Sequence, residues 1–535
     1  MRGYNTLSIA VWLSDVHTVA SGFNRRPAFM AIPSSAASDC KRELIARAIL
    51  QTPADDRGLP SLPPALQELL SSLLKEEHPE AYREAHRREA LHLDNGDETC
   101  LFKLIHHLYE ANQYDQVLAK LQASYSHLTD VGHDRALRRW LLGIEAYFPS
   151  LPGWARVLVA TCRIQAGDLP GARKTLDSVM QELTERSAQH QQPLLQAACW
   201  IRHASILYRR GLLGEASTYC KRALDLLVAC SGEETSAPFS RDRLVFEAAL
   251  CSGSIHIDMG SLPRAVEDLT RAEEFALKTG RQDELAYAQA KLAEIAWIRG
   301  DTATARATVT KPLTVSHPRY QALTALVEAR TTATSKHELR SALMIASDLG
   351  DLGIAAHTLA ALAGLTPDPK QSRRMLEQAH QLAEAVGERP LMARILCSLA
   401  RLEAEAPPGG SLISLREDAK RALHDGFTPA QALLGEYAEA AARVAVALGE
   451  TRDATAHLEQ ASAIWRQAGY MRAMSRVDWM LVRLTHDAFL DTGEPTPTKV
   501  FEQVERAVRP PHGAPRLPEV GSTEAYLLHA AATFG

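Results

Sequence analysis

Along much of the chain, apolar residues recur four, three and four positions apart, in blocks that each follow a glycine. The sets are Ala172/Leu176/Val179/Leu183, Ala216/Cys220/Ala223/Leu227, Ala265/Leu269/Ala272/Ala276 and Ala454/Leu458/Ala461/Trp465. That spacing places each set on one stripe of an α-helix, with the intervening positions left to polar residues. Each leading alanine stands five residues after a glycine: Gly167, Gly211, Gly260 and Gly449. A fifth block follows Gly300, with Ala305 and Val309 in register, and Pro312 cuts its stripe short.

The same glycines order the residues before them. Seven positions upstream stands a small residue each time: Ala160, Ala204, Gly253, Ala293 and Ala442. Three positions upstream stands a large apolar one: Ile164, Tyr208, Ile257, Trp297 and Val446. The pattern predicts helix, tight turn at the glycine, helix. Glycine suits that turn because it adopts positive φ without a Cβ clash. Small residues at matched offsets let the two helices approach closely, which a plain helical bundle does not require.

The pattern is clear from Trp154 to Leu313 and returns from Leu433 to about Leu484. Between them, helices such as "ELRSALMIASDLG" and "MLEQAHQLAEAVG" keep the stripes without the full motif, and second helices are expected to end at Gly350, Gly387, Gly426 and Gly469. These read as degenerate units, interrupted by the loop "EAPPGGS" at 405–411. The expected organisation is an N-terminal extension (1–60, partly disordered), a small helical junction domain (61–125), a repeat array (126–485) and a proline-containing tail (486–535).

Five units with a small residue at the same offset resemble the tetratricopeptide repeat, in a looser form with units of about 40 residues rather than 34. The resemblance implies an all-α fold: a tetratricopeptide-like α-solenoid of antiparallel helix pairs forming a right-handed superhelix, its concave groove lined by the first helix of each pair. Groove positions then lie six and two residues before each turn glycine. They are Thr161 and Gln165, Ser205 and Arg209, Ser254 and Asp258, Glu294 and Ile298. The polar members of this set are the candidate groove-binding residues, although plain solvation accounts for any one of them equally well. Chaperone-binding members of the family clamp a C-terminal carboxylate with lysine and asparagine. Val157, Thr161, Ile201 and Ser205 stand at those positions here and do not supply the clamp.

The segment Tyr82–Leu121 resembles the junction that precedes the repeats in MalT-like, STAND-type bacterial transcriptional regulators. His86, Arg87, Arg88 and Ala90 match its start, Gly96 and Asp97 its turn, and His107, Leu108, Ala111, Tyr114 and Leu121 its second half. Asn112 replaces the usual glycine, and asparagine also tolerates a left-handed turn. Two departures accompany the match. No G-x-x-x-x-G-K-[ST] phosphate cradle is present, and the C-terminal "EPTPTKVFEQVERAVRPPHGAPRLPEVGS" offers no DNA-reading helix.

Composition narrows the class further. Aromatics make up only 6% of residues, which favours helices over a large sheet. With 59 basic against 64 acidic side chains and no basic run, direct nucleic-acid binding is not expected. The eight cysteines, at 40, 100, 162, 199, 220, 230, 251 and 397, form no C-x-x-C spacing and read as reduced core thiols of a cytoplasmic protein. The apolar run Leu7–Leu13 is ended by Ser14 and Asp15, short of a signal peptide, and no membrane span is expected.

Histidines are the main candidate ligands, and their spacing argues against a metal. His106 and His107 are adjacent and point about 100° apart on a helix. His78 and His86 stand two turns apart, and no H-E-x-x-H occurs. Glu76, Glu77, Glu80 and Glu84, with Lys75 and Arg83, read as a solvated helical face with local ion pairs. No catalytic, cofactor-binding or metal residues are expected. The sequence thus points to a non-enzymatic module that binds a protein, peptide or small effector in its groove, in bacterial regulation or signalling. The alternative is a ligand-sensing transcriptional regulator, or a remnant of one, acting through a DNA-binding or ATPase partner.

Overall fold

The computed structural model describes residues 71–492 apart from short internal segments at 74, 95–99, 149, 187–191, 231–237, 310–314, 316, 332–335, 406–410 and 425–428. The N-terminal extension, the turn at Gly96 and Asp97, Pro312, Gly426, Cys40 and nearly all of the C-terminal tail therefore lie outside the described residues. Among the described residues the fold is helical throughout, and the chain divides into two compact units, one ending at Tyr125 and one beginning at Ser126.

The first unit holds α1 (Pro79–Leu93), α2 (Leu101–Glu110) and most of α3 (Tyr114–Asp130). Pro79 opens α1, where a missing N–H costs nothing. Asn112 makes the α2–α3 turn at φ 58°, the left-handed conformation its side chain tolerates. The acidic face of α1 carries its expected local pairs, Arg83 with Glu80 at 3.0 Å and Arg87 and Arg88 with Glu84 at 2.7 and 3.1 Å. Lys75 departs from that reading: it reaches the buried carboxylate of Glu110 at 2.8 Å, which Tyr82 also contacts.

The second unit is a tetratricopeptide-like array of sequential helix pairs. After α4 (Asp134–Glu145) come the pairs α5 (Gly153–Ala166) with α6 (Leu169–Arg186), α7 (Pro193–Arg209) with α8 (Leu213–Ala229), α9 (Arg241–Asp258) with α10 (Leu262–Thr279) and α11 (Gln282–Ile298) with α12 (Thr302–Val309). The degenerate stretch folds the same way: α13 (Pro318–Thr331) with α14 (Lys336–Leu349), α15 (Leu352–Gly364) with α16 (Pro369–Ala385), and α17 (Arg389–Ala404) with α18 (Leu412–His424). The last pair is α19 (Gln431–Ala447) with α20 (Thr451–Ala468), followed by α21 (Met471–Thr492), which runs past the array boundary expected at residue 485.

All five motif glycines sit between first and second helices with positive φ, from 74° at Gly260 to 88° at Gly167. The small residues seven positions upstream are all buried. At Gly253 an added Cβ would fall 2.6 Å from Leu269 Cγ, so the second helix occupies the space a side chain would need. Of the large residues three positions upstream, Ile164 and Ile257 are buried, whereas Val446 is exposed. Fully buried side chains such as Phe246, Leu176 and Leu227 each contribute roughly 1.5–3 kcal/mol of burial.

The array also packs against itself in a regular order. Arg138 on α4 donates to the Gly350 carbonyl between α14 and α15 at 2.9 Å. Gly167, between α5 and α6, lies so close to the α16–α17 junction that a Cβ would fall 2.7 Å from Val386 Cα. Leu212, at the α7–α8 turn, and Ala430, just before α19, pack against the same two apolar clusters. Gly260, between α9 and α10, faces Ala468 at the end of α20. Successive turns early in the array thus meet successive junctions later in it. A shared apolar cluster joins Ile257, Leu262, Leu269 and Ile298 to Trp465, Tyr470, Val477 and Leu481.

Candidate functional site

Consecutive first helices lie side by side, and their polar side chains bridge from one pair to the next. Arg202 on α7 links three pairs: it donates to Thr161 on α5 at 2.8 Å and to Glu247 on α9 at 2.7 Å. Arg243, one turn before Glu247, pairs with it at 3.5 Å and reaches Thr129 and Asp130 at the end of α3 at 2.9 and 3.2 Å. Arg281, at the start of α11, joins Asp130 to Glu284 at 3.3 and 3.1 Å. Arg319 on α13 meets Asp351, the N-cap of α15, at 3.3 Å. The result is a row of alternating charge along the starts and middles of the first helices.

A second network crosses the self-packed interface. Tyr208 donates to Asp258 at 2.7 Å, and Asp258 lies 3.6 Å from Arg394 on α17. Arg394 donates through Nε to both carboxylate oxygens of Glu436 on α19, at 3.1 and 2.9 Å. His357 and Glu388 meet nearby at 2.8 Å.

These contacts shift the groups involved. Burial pushes the Glu247 carboxyl up, but Arg202 and Arg243 outweigh it and leave it below the usual glutamate range. The same balance holds at Glu388, where His357, Arg209 and Arg394 overcome burial. Glu284 goes the other way: burial raises it, and Arg281 and Arg243 do not recover the loss. Burial and the neighbouring Asp258 carboxylate raise the Tyr208 hydroxyl.

The residues expected to line a groove separate into two environments. Thr161 accepts from Arg202 and so belongs to the alternating row. Ser205 donates to the carbonyl of Ile201 on its own helix at 3.1 Å. Gln165 and Ser254 are half-buried on the same faces. Glu294 and Ile298 are buried, and Glu294 pairs with Lys291 one turn away. Arg209 and Asp258 sit at the internal interface. Arg209 donates to the Ile164 carbonyl at 3.1 Å and lies against Gly353 on α15, while Asp258 is held by Tyr208 and Arg394. The later half of the array covers these two positions, which an open groove would have left to a ligand.

Sequence reasoning missed Arg202, Glu247 and Arg243. Arg202 stands nine residues before Gly211, one turn ahead of Ser205, so extending the groove register by a turn finds it. Arg394 carries no such signal, because its unit lacks the glycine motif, and Glu436 stands thirteen residues before Gly449, a further turn beyond that register. In the first unit, α1 and α2 bring together histidines that their spacing kept apart. His86 Nδ1 and His107 Nδ1 are 2.8 Å apart, with the His106 ring 5.9 Å from that of His86. Among the described residues no group of three or more His, Cys, Asp or Glu is arranged to hold a metal, and no helix is long and apolar enough to cross a membrane.

No protein-family model matches the chain, and no curated protein matches it. Solved structures show distant similarity. A Rap protein complexed with Competence and Sporulation Factor is 12% identical, covering 65% of this chain and 98% of that one, with a TM-score of 0.38. The Rap conjugation gene regulator of plasmid pLS20, in complex with the Phr* peptide, is 15% identical over 66% of this chain and 94% of its own, with a TM-score of 0.39. A STAND protein with a tetratricopeptide repeat sensor from Pyrococcus horikoshii is 10% identical over 90% of this chain and 68% of its own, with a TM-score of 0.34. Likeness this distant assigns neither family nor function, and the helical-repeat architecture rests on the chain's own turns and packing.

Proposed function

We propose that the chain is a non-enzymatic interaction module that receives an extended peptide segment along the first-helix face of its array. The observation that supports this reading is the row Thr161–Arg202–Glu247–Arg243. Its charged members keep 14%, 23% and 17% of their side-chain surface exposed, in order from Arg202 to Arg243. Partly desolvated ion pairs are a poor way to stabilise a fold, since apolar packing does as well or better. Placed on one face, they offer cationic and anionic groups at short, regular intervals. Such a row complements a peptide, whose backbone carries donors and acceptors and whose side chains carry both charges. No reaction is assigned to the face: the row contains no nucleophile held by a general base.

The test is a peptide-display selection on the purified chain, followed by fluorescence anisotropy with enriched peptides. The double variant Arg202→Glu/Glu247→Arg keeps an ion pair but reverses the order of charge. It is expected to weaken enriched peptides at least tenfold while leaving the helical circular dichroism unchanged. Equal affinity for both proteins, or no enrichment above an unrelated helical protein, would overturn the reading.

A further inference from the structure

Arg472 lies at the start of α21, a helix that packs against α11. Its guanidinium carbon stands 4.5 Å from the ring centroid of Trp297, near the end of α11. Trp297 is half-buried and packs against the apolar cluster that includes Tyr470, Met474 and Val477. The indole thus covers one side of the guanidinium. Half-buried Arg202, Arg319 and Arg394 each meet a carboxylate, at Glu247, Asp351 and Glu436. Arg472 is also half-buried, but among the described residues it makes no ion pair and no side-chain hydrogen bond. A charge drawn partly out of water without a counterion is costly.

Arg476 stands one turn further along α21, on the same side of the helix. It donates through Nε and Nη2 to the two carboxylate oxygens of Glu439 at 3.0 and 2.6 Å. Glu439 is buried on α19 and also lies 3.5 Å from Arg443, so two guanidiniums already share its charge. The carboxylate positions Arg476 without neutralising the whole group.

We propose that Arg472 and Arg476 form a binding site for the phosphate group of a small phosphate monoester, with Trp297 as the platform under Arg472. A guanidinium stacked on an aromatic ring still offers paired N–H donors along its edge, which match two oxygens of a phosphate. Two guanidiniums one turn apart also supply the charge that a dianion requires, whereas a carboxylate takes a single fork. Burial lowers the Arg472 guanidinium, and the Arg476 and Arg306 charges lower it further, so a bound anion relieves an existing repulsion. The site uses no residue of the row Thr161–Arg202–Glu247–Arg243, and its test is independent of peptide binding.

The experiment is isothermal titration calorimetry of the full chain with glycerol 3-phosphate, in chloride buffer at constant ionic strength. Saturable binding of the phosphate is expected, and none of acetate. Arg472→Gln is expected to weaken the phosphate about tenfold or more. Arg472→Lys keeps the charge but loses the planar fork, and is expected to weaken it less. Arg264→Gln, at an exposed position on α10, controls for loose surface attraction and is expected to bind as the unaltered chain does. Circular dichroism checks the fold of each variant. No phosphate isotherm, an acetate isotherm of equal strength, equal affinity in Arg472→Gln, or an equal loss in Arg264→Gln each overturns the inference. Should Arg472→Gln not fold, Arg472→Lys carries the test, and unchanged affinity there overturns it. Tighter binding of a single-stranded oligonucleotide than of glycerol 3-phosphate overturns the assignment to a small ester.

Discussion

Tyr470 donates its hydroxyl to the carbonyl of Ile257 at 2.6 Å, joining the start of α21 to the end of α9 across 213 residues. The tyrosine is buried and its ring stacks on Trp465, with centroids 5.1 Å apart. The Ile257 carbonyl also accepts from Gly260 N at 2.9 Å, so it keeps a partner if the hydroxyl is lost. Tyr470→Phe is therefore expected to cost about 1 kcal/mol. Tyr470→Ala, which also empties the ring's space, is expected to cost roughly 3 kcal/mol or more. Urea unfolding of the two variants measures both, and equal losses would show that the ring packing is not part of the interface.

The internal interface makes two turn glycines unequal. Gly167 and Gly449 both have positive φ, so alanine at either pays roughly 1–2 kcal/mol for the left-handed backbone. At Gly449 an added methyl meets open space, whereas at Gly167 it meets the Val386 backbone. Gly167→Ala is expected to be clearly the more destabilising and to increase the radius of gyration in small-angle scattering. Equal stabilities would mean that the two parts of the array do not touch in solution.

Gly253 tests packing within a pair. The matched position is alanine in four other units, so repeat consensus makes Gly253→Ala a tolerated change. The structure predicts the reverse, because Leu269 lies where the new methyl would go. Overpacking of this kind costs typically 1–3 kcal/mol. A raised thermal midpoint for Gly253→Ala would contradict the helix–helix approach described here.

Stability should fall in two stages on acidification. Burial holds His203 and His133 below their ordinary value of 6.5, so the folded state favours the neutral rings. Their contribution is complete above pH 6.5 and is lost as pH falls toward the lower folded values. Glu247, Glu388 and Glu439 lie below their ordinary 4.5, because arginines and, at Glu388, His357 outweigh burial. Their contribution is present above 4.5 and is lost below it. Glu284 and Glu328, which burial raises, act in the opposite sense and favour the folded state at low pH. His203→Gln is expected to flatten the first stage in a series of urea titrations and leave the second unchanged.

The repeat was legible because its signal is local. A glycine, the alanine five residues later and the small residue seven residues earlier all serve one turn and one helix–helix contact, so their spacing survives in the chain. Asn112 was legible for the same reason, since a single residue must take the left-handed turn. Residues 336–424 were harder to read: α15 and α16 turn without a positive-φ glycine, through Leu365 and the capping carboxylate of Asp368.

The candidate site divides along the same line. Thr161 and Ser205 follow from the glycine register because their place on a helix is fixed by the helix period. Whether a groove position faces solvent depends on what returns to cover it, and that is a matter of the small rotation between pairs, summed over the array. The sequence by itself determined an all-helical chain of pairs, where the turns fall and which stripe of each helix is apolar, because these depend on contacts a few residues apart. Only the tertiary structure decided that Arg209 and Asp258 meet the chain's own later helices, and that His86 meets His107. Each of these depends on how separate helices are placed, and no spacing along the chain encodes that placement.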